Sequence, residues 1–169
     1  VTGNNQVVFN PAQAKSLLKL DPNSDLLLVA TSRDKLGQIN YRFQQTYKGI
    51  PVEYAMYNVQ TTGGKLKALS GAIITDFYGG KEKSVTINAA NAIDAAIKYV
   101  GASTYMWQDA EMEKSLKNTS GDAKATYAPT ATLTWYGKDG KIDPRNLSLC
   151  YKVNVYATQP LSNGYYFVD

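Results

Sequence analysis

The sequence contains no histidine. That excludes imidazole zinc ligands and every Ser-His or Cys-His nucleophile pair. It contains one cysteine, Cys150, so neither an internal disulfide nor a thiolate cluster can form. No apolar run approaches the roughly 20 residues that a membrane-crossing helix needs. Charged residues make up 19% of the chain, and its 18 Lys and Arg are spread out rather than gathered in a block. The net charge of +4 therefore reads as solubility, not as a nucleic-acid patch.

What remains is a folded chain. Its 169 residues, 44% of them apolar, suit one domain or two small subdomains with a real core. Among the aromatics, 13 Tyr outnumber 4 Phe and 2 Trp. Tyr pairs an apolar ring with a polar tip and suits half-exposed sheet faces. An aromatic platform for carbohydrate or a single strand is the other use of such rings. The chain opens at Val1 rather than Met, which implies that an upstream piece has been removed.

Patterning divides the chain into helix-plus-meander units. Asn10 can cap a helix with Pro11 at its first position and Gln13 reaching back, and Ala14, Leu17 and Leu18 form its stripe. The apolar run 26–31 reads as a short buried strand. In the segment YRFQQTYKGIPV, Ile39, Tyr41, Phe43, Gln45 and Tyr47 share one strand face, and Asn40, Arg42, Gln44 and Thr46 share the other. Lys48-Gly49 is a tight turn, with Gly49 free to take positive φ. Pro51 cannot donate to a ladder, so the returning strand 50–60 starts at an edge or a bulge. A two-residue turn at Gly63-Gly64 leads to a third strand, 66–75. The polar run GGKEK, 79–83, marks a subdomain boundary.

Beyond it, Ala89, Ala92, Ile93, Ala96, Ile97 and Val100 recur at helical spacing, and Gly101 stops the helix. Asp109 caps a third helix, 110–117, whose Glu111 and Glu113 lie near its positive end. A strand at 130–136, a hairpin turn at 137–141, a long strand at 147–157, a turn at 159–164 and a last strand, YYFVD, complete the chain. The long strand puts Leu147, Leu149, Tyr151, Val153 and Val155 on one face, with Cys150 as a small core or half-buried residue. Segregated helices and antiparallel strands argue an α+β fold. The expected division is 1–78 and 79–169, each with helix packed on an antiparallel meander.

The candidate chemistry is thin. Glu111 with Glu113, and Asp139 with Asp143, are the available carboxylate pairs, but helix starts and turns hold acids for structural reasons. The KDGK turn lacks the acidic ligands of a calcium loop, and Gly63-Gly64 has no helix behind it to cradle phosphate. For Arg42, Gln44 and Thr46, a solvated or cross-strand-bonded face and a docking face both fit.

The stretch RFQQTYKGIPVEYA resembles the propeptides of thermolysin-type and fungalysin-type metalloproteases. Arg42, Phe43, Gln44, Gln45, Tyr47, Gly49, Ile50, Pro51 and Val52 carry the match. VTINAANAIDAAIKYVG, WQDAEMEKSLK, LSLCYKVNVY and GYYFVD are similar to the second, PepSY-like propeptide subdomain, which implies a cystatin-like second half. Two departures stand out. Glu53-Tyr54 replaces the family's Phe-Gly, and the chain stops at Asp169, where family members continue toward the cleavage junction.

The resemblance implies a non-catalytic pro-region of a secreted or periplasmic bacterial protease, acting as intramolecular chaperone and inhibitor. Its partner would be the cognate catalytic domain, with no nucleic acid and no membrane span. It would need no cofactor, zinc being expected only in the catalytic domain, and no HExxH occurs in this sequence. It also implies that the nine motif residues maintain or present the first subdomain, and that Tyr166, Phe167, Val168 and Asp169 form the strand nearest the protease cleft. The alternative is a free-standing envelope module taking peptide or glycan on a Tyr-rich sheet.

Overall fold

Alternating apolar residues, two tight turns and small helical residues build an α+β protein in the computed structural model. It describes residues 9–11, 14–77 and 85–169, the side chains of Leu17 and Asp139 excepted. The described elements run α1 (Ala14–Leu17), β1 (Ser24–Arg33), β2 (Gln38–Tyr47), β3 (Ile50–Thr62), β4 (Lys65–Gly71), α2 (Ala89–Val100), β5 (Thr104–Tyr105), α3 (Ala110–Ser120), β6 (Ala131–Gly137), β7 (Leu147–Gln159) and β8 (Leu161–Val168). The chain forms two compact units, residues 1–82 with 135–148, and residues 83–134 with 149–169. The boundary expected in 79–83 falls among residues outside the described set.

In the first unit, β1 to β4 form an antiparallel meander. The β2–β3 turn has two central residues, Lys48 at φ 50° and Gly49 at φ 77°, the positive-φ pattern that matches strand twist. Phe9, Ala14, Phe43 and Val59 form its core, with Leu26, Tyr41 and Tyr57 at the margin. The edge of β3 away from β2 is shared: residues 57–62 pair with β4, and Val52 pairs in parallel with Trp135 of β6.

Several local expectations change here. The described part of the first helix is Ala14–Leu17, and the capping residue Gln13 lies outside the described residues. The run at 26–31 is not buried: β1 is exposed from Leu27 to its end, because it is an edge strand with β2 as its partner. Its apolar composition signalled a strand but not which neighbours would cover it. The third strand stops at Gly71 instead of Thr75, since the chain leaves the ladder to meet the side chain of Gln45.

In the second unit, Asn88 caps α2 by accepting from the Asn91 N–H at 2.9 Å, and Gly101 closes it. Ala92 and Ala96 face Tyr105, Val153, Val155 and Ala157 in the core, flanked by Ile93, Ile97, Val100 and Trp107. Alanine at the contact lets the helix backbone approach closely, and each fully buried Val contributes about 1.5–3 kcal/mol. Asp109 caps α3 through the N–H groups of Glu111 and Met112.

The β7–β8 hairpin runs continuously from Tyr151↔Val168 to Thr158↔Leu161. The turn expected at 159–164 is therefore strand, reversing around Pro160. Asn163 and Gly164 suggest a loop by composition, yet pairing with β7 carries them as strand. The expected hairpin at 137–141 is a 3-10 turn, Lys138–Gly140, followed by a longer loop to Leu147. Along β7 the buried residues are Leu147, Cys150, Val153, Val155 and Ala157, while Leu149 and Tyr151 are half-buried. Strict alternation holds only from Val153, and Cys150 takes the core position opposite Thr134, whose carbonyl lies 3.7 Å from its Sγ.

Candidate functional site

The residues of the YRFQQTYKGIPV segment converge on the β2–β3 hairpin of the first unit. Phe43, 1% exposed, sits in that unit's core. Beyond it the pairing of β2 with β3 slips, from Gln44↔Met56 to Thr46↔Pro51, so β3 carries extra residues opposite Gln45. Such an excursion leaves carbonyls without ladder partners. The Gln44 side chain supplies them: its Nε2 donates to the carbonyls of Val52 at 2.7 Å, Gln45 at 3.1 Å and Ala55 at 3.2 Å. An amide nitrogen has two hydrogens, so one of them is shared between two of these carbonyls. Tyr54 adopts φ 64° within the excursion, at one of the two positions where Glu53-Tyr54 replaces the resemblance's Phe-Gly.

Gln45 points the opposite way and is fully buried. Its amide bonds both backbone groups of Ile74 and reaches Ser24 Oγ at 3.4 Å. A buried amide is tolerable only with its partners in place, and these two glutamines have them. Tyr47 stacks on Phe77 at 3.8 Å, and Trp135 lies edge-on to both rings. Trp135 Nε1 also donates to the Tyr47 carbonyl at 3.2 Å. Lys48 N donates to the Asn23 carbonyl at 2.8 Å, fixing the turn against the start of β1. Val52 is fully buried, Ile50 half-buried, and Arg42 and Pro51 are exposed.

So Phe43, Gln44, Gln45, Tyr47, Gly49 and Val52 are built into the hairpin, and Arg42 and Pro51 remain at its surface. The shared polar face of Arg42, Gln44 and Thr46 breaks up, because Gln44 turns to backbone carbonyls and Thr46 is buried. Tyr166, Phe167, Val168 and Asp169 belong to the other unit. On β8, Tyr166, Phe167 and Val168 pair with Val153, Lys152 and Tyr151 of β7, and Asp169 follows the strand, exposed.

Of the carboxylate candidates, Glu113 and Asp143 hold local partners, and the side chain of Asp139 lies outside the described residues. Glu113 Oε1 accepts from Tyr127 N at 2.7 Å and Thr126 Oγ1 at 3.1 Å, pinning the loop after α3. Asp143 pairs with Arg145 at 2.8 Å, and that hydrogen-bonded guanidinium lowers its carboxyl below the usual range. Sequence reasoning missed Trp135 as a hairpin anchor, and Ile74 and Ser24 as partners of Gln45. A lone Trp in a strand carries the only advance signal of the three.

Residues 24–73, from the start of β1 to just past β4, match the Fungalysin/Thermolysin Propeptide Motif. The chain carries that motif. Its buried Gln45 and carbonyl-clamping Gln44 lie within the matched span. The chain is also 30% identical over 149 residues to the thermostable neutral protease NprT of Geobacillus stearothermophilus. The same identity and span hold for thermolysins of Alicyclobacillus acidocaldarius subsp. acidocaldarius and Bacillus caldolyticus. Each match covers 85% of this chain and 23% of the relative's own length. The resemblance to propeptides of thermolysin-type proteases is thereby borne out.

Proposed function

We propose that this chain is the pro-region of a secreted thermolysin-like zinc metalloprotease, serving its catalytic domain as intramolecular chaperone and inhibitor. The observation that carries the reading is the motif match at 24–73, whose hairpin is locked by the side-chain amides of Gln44 and Gln45 rather than by any reactive group. A domain rich in long-range contacts folds slowly alone, and a preformed antiparallel surface that binds its native state favours that state by mass action. Inhibition requires occupation of the substrate cleft by a strand-like segment, for which β8 and Asp169 are the assigned region. Neither task uses a catalytic residue or a cofactor of this chain.

The test is refolding in trans. The denatured catalytic domain encoded with this chain is diluted from denaturant with and without it, and peptidase activity is followed. Recovery of active enzyme only with the chain, and loss of activity when the chain is added to mature protease, are expected. Unaided refolding together with uninhibited peptidase would overturn the proposal, as would a precursor gene that encodes no peptidase.

A further inference from the structure

Val52 and Ala55 of β3 are both fully buried. Strict strand alternation from Val52 would turn Tyr54 inward and Ala55 outward. Instead Tyr54 is 51% exposed, its φ of 64° marking the point where the alternation shifts by one residue. Left-handed backbone is unfavourable for a residue that carries a Cβ. Lys19 and Lys48 also take positive φ, but they lie just past α1 and in the two-residue β2–β3 turn, where that conformation is ordinary. Among the described non-glycine residues, only Tyr54 adopts it inside a strand.

The Tyr54 ring has little to hold it to the fold. Its aromatic neighbour is Tyr136, 6.3 Å away and tilted by 58°, and a Cβ added to Gly140 would stand 3.7 Å from its Cε2. Among the described residues the Tyr54 hydroxyl has no hydrogen-bond partner. The backbone beneath it is fixed, because Gln44 Nε2 donates to the carbonyls of Val52 and Ala55 on either side. The ring therefore stands half out of the surface on a rigid stem, in a conformation that glycine would adopt more easily. Bulges re-aim side chains beside functional sites, and a pre-positioned tyrosine is a favoured interface anchor. We propose that Tyr54 anchors the contact with the catalytic domain, its ring seated in an apolar socket there and its hydroxyl donating to an acceptor within it. This inference rests on the pro-region reading and adds to it a contact in the first unit. A protruding ring suits a socket on a macromolecule, since it encloses no space for a small ligand.

The experiment titrates the mature catalytic domain encoded with this chain with the full chain and its variants, reading inhibition, and follows urea unfolding of each variant alone. The parent chain should inhibit. Tyr54→Gly should weaken inhibition by about tenfold or more, while its urea midpoint stays no lower than the parent's. Tyr54→Phe keeps the ring and should lose only about threefold. Tyr54→Gly inhibiting as tightly as the parent overturns the proposal and leaves the pro-region reading standing. A clearly lowered urea midpoint for Tyr54→Gly overturns it as well, because the ring would then serve the fold. So does a loss with Tyr54→Phe as large as that with Tyr54→Gly, which would deny the ring its socket. A parent chain that does not inhibit overturns the pro-region reading itself, and this inference with it.

Discussion

The side-chain amide of Gln45 makes both backbone hydrogen bonds of Ile74: Oε1 accepts from its N–H at 2.8 Å and Nε2 donates to its carbonyl at 2.7 Å. One side chain thus substitutes for a neighbouring strand where the chain has left the β3–β4 ladder. Ile74 is 4% exposed, so water does not replace a lost partner. Gln45→Leu keeps the volume and strands a donor and an acceptor in the interior. The expected cost is about 2–5 kcal/mol, read as a lowered urea midpoint. A loss below about 1 kcal/mol would mean that Ile74 finds other partners.

Two glycines separate backbone strain from steric clash. Gly49 sits at φ 77°, and a Cβ there would meet nothing within 4 Å. Gly49→Ala should therefore cost only the left-handed penalty, about 1 kcal/mol. Gly71, at φ 125°, would drive a Cβ into the Met56 carbonyl oxygen. That carbonyl also accepts from Ala72 N at 3.0 Å and cannot simply move away. Gly71→Ala should be the more damaging of the two by thermal unfolding, and the reverse order would show that the β3–β4 exit is free to relax. Lys48, at φ 50° in the same turn as Gly49, offers the opposite change. Lys48→Asn should raise stability by a few tenths of a kcal/mol, because Asn tolerates that conformation better.

These positions show what the sequence could and could not reveal. The alternation of Phe43, Gln45 and Tyr47 placed Gln45 on the buried side, and the Lys48-Gly49 turn was legible because only a few residues fit positive φ. The partner of Gln45 was not legible, since Ile74 lies 29 residues away and has no pattern that marks it. The apolar run in β1 announced a strand, yet burial depends on neighbours along an edge that local sequence does not encode. Asn163 and Gly164 carry turn chemistry, but pairing with Val155 and Tyr156 overrode it. Local rules succeeded where the cause was local and failed where a distant strand decided.

The Asp143–Arg145 pair gives a pH signature. Hydrogen bonds from the Arg145 guanidinium and backbone N–H, reinforced by its charge, lower the Asp143 carboxyl from 3.8. With the folded value below the unfolded one, any stabilisation is complete above the unfolded value and disappears as pH falls through the folded one. Solvent reaches this pair, so Asp143→Asn should leave the unfolding midpoint at neutral pH unchanged. The titration itself should respond. Carbon-13 NMR should place the Asp143 midpoint below 3.8, and Arg145→Gln should move it upward. A midpoint that ignores the substitution would show that the pair does not persist in solution.

Helix α2 rests on its sheet through alanine, and that choice sets the sharpest stability test in the second unit. Ala92 is fully buried and Ala96 is 1% exposed, facing Val153, Val155 and Ala157. A larger side chain at Ala92 must push the helix from the sheet or adopt a strained rotamer, because interiors pack without spare volume. Ala92→Leu is therefore expected to cost about 1–3 kcal/mol, despite leucine's good helix propensity. Tyr99, 82% exposed on the same helix, is the control, and Tyr99→Leu should change stability by no more than about 0.5 kcal/mol. Equal effects at the two positions, measured by urea unfolding, would mean that α2 does not dock through its alanine face. Its caps at Asn88 and Gly101 would then be holding a helix that packing does not support.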